Sequence, residues 1–104
     1  MIKVFLSKEE GELSSILDIT QLQKYIKEIV VLHSFSRKEN FKQLIDSISE
    51  NEKIVLAGAK WSFYQSKEGK MILDAIVNKG INYNFILLVD LFILSIYGNN
   101  KEKN

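Results

Sequence analysis

The residues best suited to chemistry lie in residues 53–67, which read KIVLAGAKWSFYQSK. An apolar run ends in the small residues Gly58 and Ala59, and Lys60 and Trp61 follow before a helical pattern begins. The backbone amides of such a loop, the start of the next helix and an ammonium group together favour phosphate. The segment is therefore a candidate anion-binding loop. The preferred interpretation is that Trp61 packs on the sheet edge while Lys60 is solvated.

Other reactive side chains are few. There is no cysteine, which excludes disulfides, thiolate nucleophiles and thiolate metal sites, and His33 is the only histidine. No Ser-His-Asp arrangement or glycine-rich phosphate motif is readable. Glu9 belongs to an acidic loop that we expect to be solvated, or to form an ion pair with Arg37 between two loops. We therefore expect no metal and no cofactor, and an enzyme using Lys60, Glu9 or His33 ranks last among the possible functions.

Composition limits the class of protein. The chain has 104 residues, 46% of them hydrophobic and 26% charged, with a net charge of +1. This length suits one domain, which we place at residues 1–97, before a polar tail at 98–104 that we expect to be disordered. The charge balance predicts no nucleic-acid partner. Residues 1–6 are too short an apolar run for a signal peptide, so we expect a cytoplasmic protein. The lack of proline is compatible with a thermophilic source.

Strand-like and helix-like segments alternate along the chain. Asp18 is a candidate helix cap with Gln21 as its capping-box partner, and Gly80 occupies the position that usually follows a helix end. Apolar residues at helical spacing predict helices from Asp18, over residues 41–49 and from about residue 66 to Gly80. Residues 36–40 are predicted to be a charged loop. The predicted strands are residues 2–6, 29–32, 54–58 and 85–89.

Continuously apolar strands that alternate with amphipathic helices predict an α/β fold with a mainly parallel sheet. With right-handed crossovers, we expect one small open four-stranded sheet of order 2-1-3-4 with helices on both faces, Rossmann-like or flavodoxin-like. The loops at residues 7–11 and 58–61 would then face each other across the point where the strand order reverses. Open α/β sheets bind ligands at that point.

The end of the chain is unusually apolar. Residues 85–97 are interrupted only by Asp90 and Ser95, and this run is too short to span a membrane. The simplest interpretation is a strand followed by a short helix, which either packs on the preceding helix or forms an interface with a second copy or a protein partner. The candidate interface residues are Leu91, Phe92, Leu94, Ile96 and Tyr97.

From residue 2 to about residue 94, the chain resembles the N-terminal domain of the heterodisulfide reductase A subunit family. That family has a Cys-x-Cys-Gly-Gly-Asn loop after its first strand, where residues 7–12 read SKEEGE. Its third strand runs into Ala-Ala-Cys-Ser-Pro-Arg, where residues 57–62 read AGAKWS. Its Cys-Ser-Asp-Pro-Gly loop corresponds to residues 37–41 here, which read RKENF. Its Ala-Gly-Leu-Asn-Pro-Tyr turn falls at residues 79–84, KGINYN, the closest short match.

The resemblance implies a related fold without the family's redox chemistry. The family's cysteines are expected to hold an iron–sulfur cluster, and the matching positions here are Ser7, Glu9, Arg37 and Ala59. The resemblance thus implies a non-catalytic interaction or scaffold domain, acting as a homodimer or as a small subunit of a redox complex. The alternative is a module that binds a nucleotide or phosphate through the loops after strands one and three. The candidate ligand-binding residues are Ser7, Glu9, Arg37, Gly58, Ala59, Lys60 and Trp61.

Overall fold

The structure, a computed structural model, describes residues 2–9, 18–26, 28–50 and 52–90. Strands and helices alternate along these residues. The strands are β1 (Ile2–Ser7), β2 (Ile29–Leu32), β3 (Lys53–Ala57) and β4 (Ile86–Val89). The helices are α1 (Ile19–Tyr25), α2 (Lys38–Asp46), α3 (Trp61–Gln65) and α4 (Lys67–Asn78), and a 3₁₀ turn spans Tyr83–Phe85.

The four strands form one parallel sheet in the order β2-β1-β3-β4, which confirms the predicted topology. β1 is central and pairs with both β2 and β3. In this register Leu6 lies between Val31 and Ala57. The strand order reverses between β1 and β3, so the loops that follow these two strands start side by side at the carboxyl edge of the sheet.

Each face of the sheet carries its own apolar cluster because side chains alternate along a strand. On one face, Phe5 and Leu56 pack with Leu44 of α2 and Ile76 of α4. On the other face, Leu6 and Ala57 are buried, and half-buried apolar residues including Ile19 of α1 pack against them. The helices therefore lie on both faces, as predicted.

The helix ends follow local rules that the sequence already carries. The Asp18 carboxylate accepts a hydrogen bond from the Gln21 N–H at 3.0 Å, at the start of α1. The Ser66 hydroxyl oxygen accepts from the Gly69 N–H at 3.1 Å and caps α4. Gly80 follows α4 with φ +96°, a left-handed conformation that glycine adopts without steric penalty.

Several boundaries differ from the predictions by a few residues, among them the ends of β1, β3 and α2. The charged loop was predicted at residues 36–40, but it ends at Arg37. That residue is extended, and α2 begins at Lys38. The predicted loop at residues 58–61 passes directly into α3, whose five residues are too few to show a helical apolar period. β4 begins at Ile86 because the Asn82 side chain accepts from the Asn84 N–H at 2.9 Å and turns the chain first.

Two predictions concern residues outside the described part of the chain. One is the interface formed by Leu91, Phe92, Leu94, Ile96 and Tyr97, and the other is the disordered tail at residues 98–104. Both remain predictions. Within the described ranges, no helix is long and apolar enough to cross a membrane.

Candidate functional site

Ser7, the last residue of β1, joins three segments at the carboxyl edge of the sheet. Its fully buried hydroxyl donates to Glu9 Oε1 at 2.8 Å and accepts from the Phe35 N–H at 3.3 Å. It also lies 3.4 Å from the Glu9 N–H. Glu9 has φ +51°, a conformation that is strained for a residue with a side chain. These contacts fix the Glu9 carboxylate at the end of β1.

Gly58 brings the end of β3 against the end of β1. Its φ is +100°, and a Cβ at this position would lie 2.2 Å from the Ser7 carbonyl oxygen. Its N–H donates to the Val89 carbonyl oxygen at 3.1 Å, which connects β3 to the end of β4. Only glycine permits this approach of the two backbones, so Gly58 sets the separation of the two loops that the sequence singled out.

Tyr64 of α3 anchors that short helix to the sheet. Its hydroxyl lies 3.0 Å from the Leu56 carbonyl oxygen and 3.1 Å from that of Val89, so its single proton is shared between them. Burial raises the pKa of the Tyr64 phenol, and the negative charges of Glu9 and Asp90 raise this pKa further, while a backbone hydrogen bond from Ala59 lowers it. The phenol is therefore neutral at physiological pH and serves as a buried donor.

A crevice of about 450 Å³ opens above these strand ends. We call this space the crevice. Its charged side chains are Glu9 from β1's loop, Lys60 before α3, and Lys67 and Glu68 from the first turn of α4. Phe63 of α3 adds an aromatic surface, and Ser62 and Ser66 complete the lining.

The two lysines share the crevice with two acids, Glu9 and Glu68, but form no salt bridge with either. Lys60 and Lys67 are exposed, and within the described residues neither forms an ion pair. Glu9, by contrast, is held by the Ser7 hydroxyl. The Ser66 hydroxyl is also engaged, since it donates to the Phe63 carbonyl oxygen at 2.5 Å and caps α4. The two ammonium groups are therefore the charged groups best placed to meet an anionic ligand.

The structure brings some of the predicted site residues together and places others elsewhere. Glu9 and Lys60 line the crevice. Ser7, Gly58 and Ala59 are buried, so they hold the loops rather than face solvent.

Trp61 and Arg37 have other surroundings. The Trp61 ring is half-exposed and meets the Tyr64 ring edge-on at 6.1 Å between centroids. Arg37 lies 3.9 Å from the Glu39 carboxylate at the start of α2. Neither residue is among those that line the crevice.

The sequence reasoning missed the residues that α3 and α4 contribute. Ser62 and Phe63 reach the crevice because α3 turns the chain directly after Lys60, and Lys67 and Glu68 reach it from the start of α4. A serine followed by an acid and glycine is a helix-start signal. The predicted helix from about residue 66 already had Lys67 and Glu68 in its first turn, but no local pattern showed that this turn faces the loop.

A second, apolar space adjoins the crevice. This apolar cleft, of about 220 Å³, lies between α2 and α4 and is lined by Phe35, Phe41, Met71 and Ile72, with Ser36, Lys38 and Glu68 at its margin. Glu68 thus borders both spaces. In the described part of the chain, no group of three or more histidine, aspartate or glutamate side chains could hold a metal ion.

No protein-family model matches this chain, and neither does any curated protein or solved structure. The resemblance to the heterodisulfide reductase A family accordingly depends on the residues quoted above alone. The case for a function is made by the geometry of the site.

Proposed function

We propose that this protein is a small-molecule-binding module that takes a phosphate-bearing ligand, a nucleotide or a simpler phosphate, in the crevice. The observation that carries this proposal is that Lys60, which follows β3, and Lys67, at the start of α4, line one crevice and form no ion pair within the described part of the chain. This crevice lies at the carboxyl ends of β1 and β3. This is the position at which open α/β sheets bind ligands. The phosphate lies between the two ammonium groups and is held by charge-assisted hydrogen bonds.

The acidic groups of the crevice limit what the ligand can be. The two glutamates, Glu9 and Glu68, balance the formal charge of the two lysines, so a multiply charged polyanion is a poor fit. The Ser7 hydroxyl holds the Glu9 carboxylate at the end of β1. A ligand with one phosphate group and neutral polar groups satisfies both the lysines and the carboxylates.

Binding of ribose 5-phosphate, measured by calorimetry and by thermal unfolding, tests this proposal. A ligand that binds the folded state raises the free energy of unfolding by about 2.7 kcal/mol at a concentration of 100 times its Kd. Lys60→Gln and Lys67→Gln should each weaken binding by about ten- to a hundredfold, since a charge-assisted hydrogen bond contributes about 1.5–3 kcal/mol.

Lys70→Gln is the matched control, because Lys70 is an exposed lysine of the same helix that does not line the crevice. It should leave the affinity unchanged. Absence of binding by the wild-type protein, or equal loss in all three variants, would overturn the proposed function.

A second candidate is an interaction domain, as the resemblance implies, that forms a homodimer or joins a redox complex. The observation that favours it is a group of apolar side chains exposed by about half near the start of β4, which comprises Ile2, Tyr83, Phe85 and Leu87. β4 is an edge strand of the described sheet, and exposed edges of this kind are sites of association.

Light scattering coupled to size-exclusion chromatography tests this second candidate. A dimer is expected, and Leu87→Lys should convert it to a monomer without unfolding, because Leu87 is 59% exposed. Lys24→Gln in α1 serves as the control, since Lys24 is exposed and lies outside this group. A wild-type monomer that captures no partner would exclude this function.

A further inference from the structure

We infer that the ligand of the crevice carries a flat apolar ring, which the apolar cleft receives, so that the protein binds a nucleotide rather than a simple phosphate. This inference rests on the proposed function and identifies the class of ligand within it. It is carried by the juxtaposition of a crevice that contains two lysines and an apolar cleft, which share one residue, Glu68.

The two spaces are in contact through an aromatic pair as well as through Glu68. Phe63 lines the crevice and Phe35 lines the apolar cleft, and their ring centroids lie 6.2 Å apart with 34° between the planes. The linings of the two spaces therefore meet at this aromatic pair and at Glu68. The crevice alone, at about 450 Å³, already lies in the range typical of small-molecule sites.

The cleft has the chemistry of a ring-binding site. Phe35 is only 3% exposed and its N–H is held by Ser7, so it forms a fixed floor. Phe41 is half-buried beside it. Met71 is 55% exposed at the cleft, where its flexible, polarizable thioether is free to fold over a ring. Burial of this exposed apolar surface favours a ligand with an apolar body.

Glu68 fixes the order of the groups along the ligand. Its side chain forms no hydrogen bond or ion pair with the rest of the described chain. An exposed carboxylate at the junction repels a phosphate and accepts hydrogen bonds from hydroxyl or amino groups. The phosphate therefore lies on the side of Lys60 and Lys67, hydroxyl groups lie at Glu68, and the ring lies beyond it. A nucleoside monophosphate has this order of groups.

Affinities of three probes, adenosine monophosphate, ribose 5-phosphate and adenosine, test the inference by calorimetry. The monophosphate should bind at least tenfold more tightly than ribose 5-phosphate. Met71→Gln should remove most of this difference and leave the affinity for ribose 5-phosphate unchanged. Val77→Gln is the control, because Val77 is an exposed apolar residue of the same helix that does not line the cleft.

The outcomes separate the inference from the function on which it rests. Equal affinities for the monophosphate and ribose 5-phosphate would overturn the ring site and leave the phosphate-binding function standing. A Met71→Gln variant that binds both probes as the wild type does would also overturn it. Failure of both phosphate probes to bind, whether or not adenosine binds, would overturn the proposed function and the inference together.

Discussion

The Cα of Gly58 faces the carbonyl group of Ser7 so closely that a methyl group at Gly58 would lie 2.2 Å from the Ser7 oxygen. This contact joins the ends of the two central strands of the sheet. The loops that follow them leave the sheet at a separation that backbone contact determines, because no side chain lies between them. The crevice owes its width to this approach.

Gly58→Ala should destabilise the protein by about 3–5 kcal/mol, because it combines a left-handed backbone with a clash against a fixed carbonyl. Chemical unfolding measures the change. The control is Gly80→Ala, which has a similar φ of +96° but meets only the flexible Glu50 side chain, at 3.0 Å. That variant should lose about 1 kcal/mol. Equal losses in the two variants would show that the contact with Ser7 contributes nothing.

Ser7→Ala should destabilise the protein by about 1–3 kcal/mol, since the buried Phe35 N–H loses its acceptor. It also releases the Glu9 carboxylate. Thermal unfolding measures the first effect. Ser49→Ala is a matched control, because Ser49 is exposed and its backbone N–H, rather than its hydroxyl, bonds Glu52. A Ser7→Ala variant as stable as Ser49→Ala would contradict the role assigned to this hydroxyl.

Tyr64→Phe should reduce the dependence of stability on alkaline pH. Burial raises the pKa of the Tyr64 phenol above the 10.0 of an exposed tyrosine. Above pH 10 the unfolded chain therefore loses this proton while the folded protein keeps it, so the free energy of unfolding falls as pH rises. Unfolding curves between neutral pH and pH 11 should show a smaller fall in the variant. At neutral pH, the variant should lose about 1 kcal/mol with its hydrogen bond.

An identical alkaline decline in the wild type and in Tyr64→Phe would contradict this assignment. Tyr83→Phe serves as the control, because Tyr83 is 62% exposed. It should leave both the neutral-pH stability and the alkaline decline unchanged.

Glu52→Ala should destabilise the protein more than Glu52→Gln. The Glu52 side chain is 9% exposed, accepts a hydrogen bond from the Ser49 N–H at 2.7 Å and lies 3.8 Å from Lys3 Nζ. Alanine removes the acceptor and should lower the free energy of unfolding by about 1–3 kcal/mol. Glutamine keeps an acceptor oxygen and loses only the ion pair, about 1 kcal/mol or less. Chemical unfolding of both variants decides this, and equal losses would assign the whole effect to the charge.

The elements that the sequence predicted well are those governed by local rules. β2 has the predicted bounds at residues 29–32, because a run of β-branched apolar residues strongly favours a β-strand. Asp18 caps α1, and Gly80 ends α4, because capping depends on one side chain or on one backbone angle. The order of the strands was also predicted correctly, because right-handed crossovers restrict how parallel strands can be joined.

α3 and the crevice were decided by tertiary structure. The short helix α3 is anchored by the Tyr64 hydroxyl, which contacts the carbonyl oxygens of Leu56 and Val89. Leu56 belongs to β3 and Val89 to β4. No local pattern in the sequence reports such a contact. This helix places Ser62 and Phe63 at the crevice, which the prediction missed.

Sequence alone therefore determined that this chain forms a parallel α/β sheet with a crevice at the ends of its first and third strands. Only the tertiary structure decided which side chains line the crevice. Lys67 does so, whereas Arg37 lies near the Glu39 carboxylate instead. The physical reason is one of range. Periodicity and capping act within a few residues. The convergence of side chains from separate segments depends on the register of strands and on close backbone approaches such as that of Gly58 to Ser7.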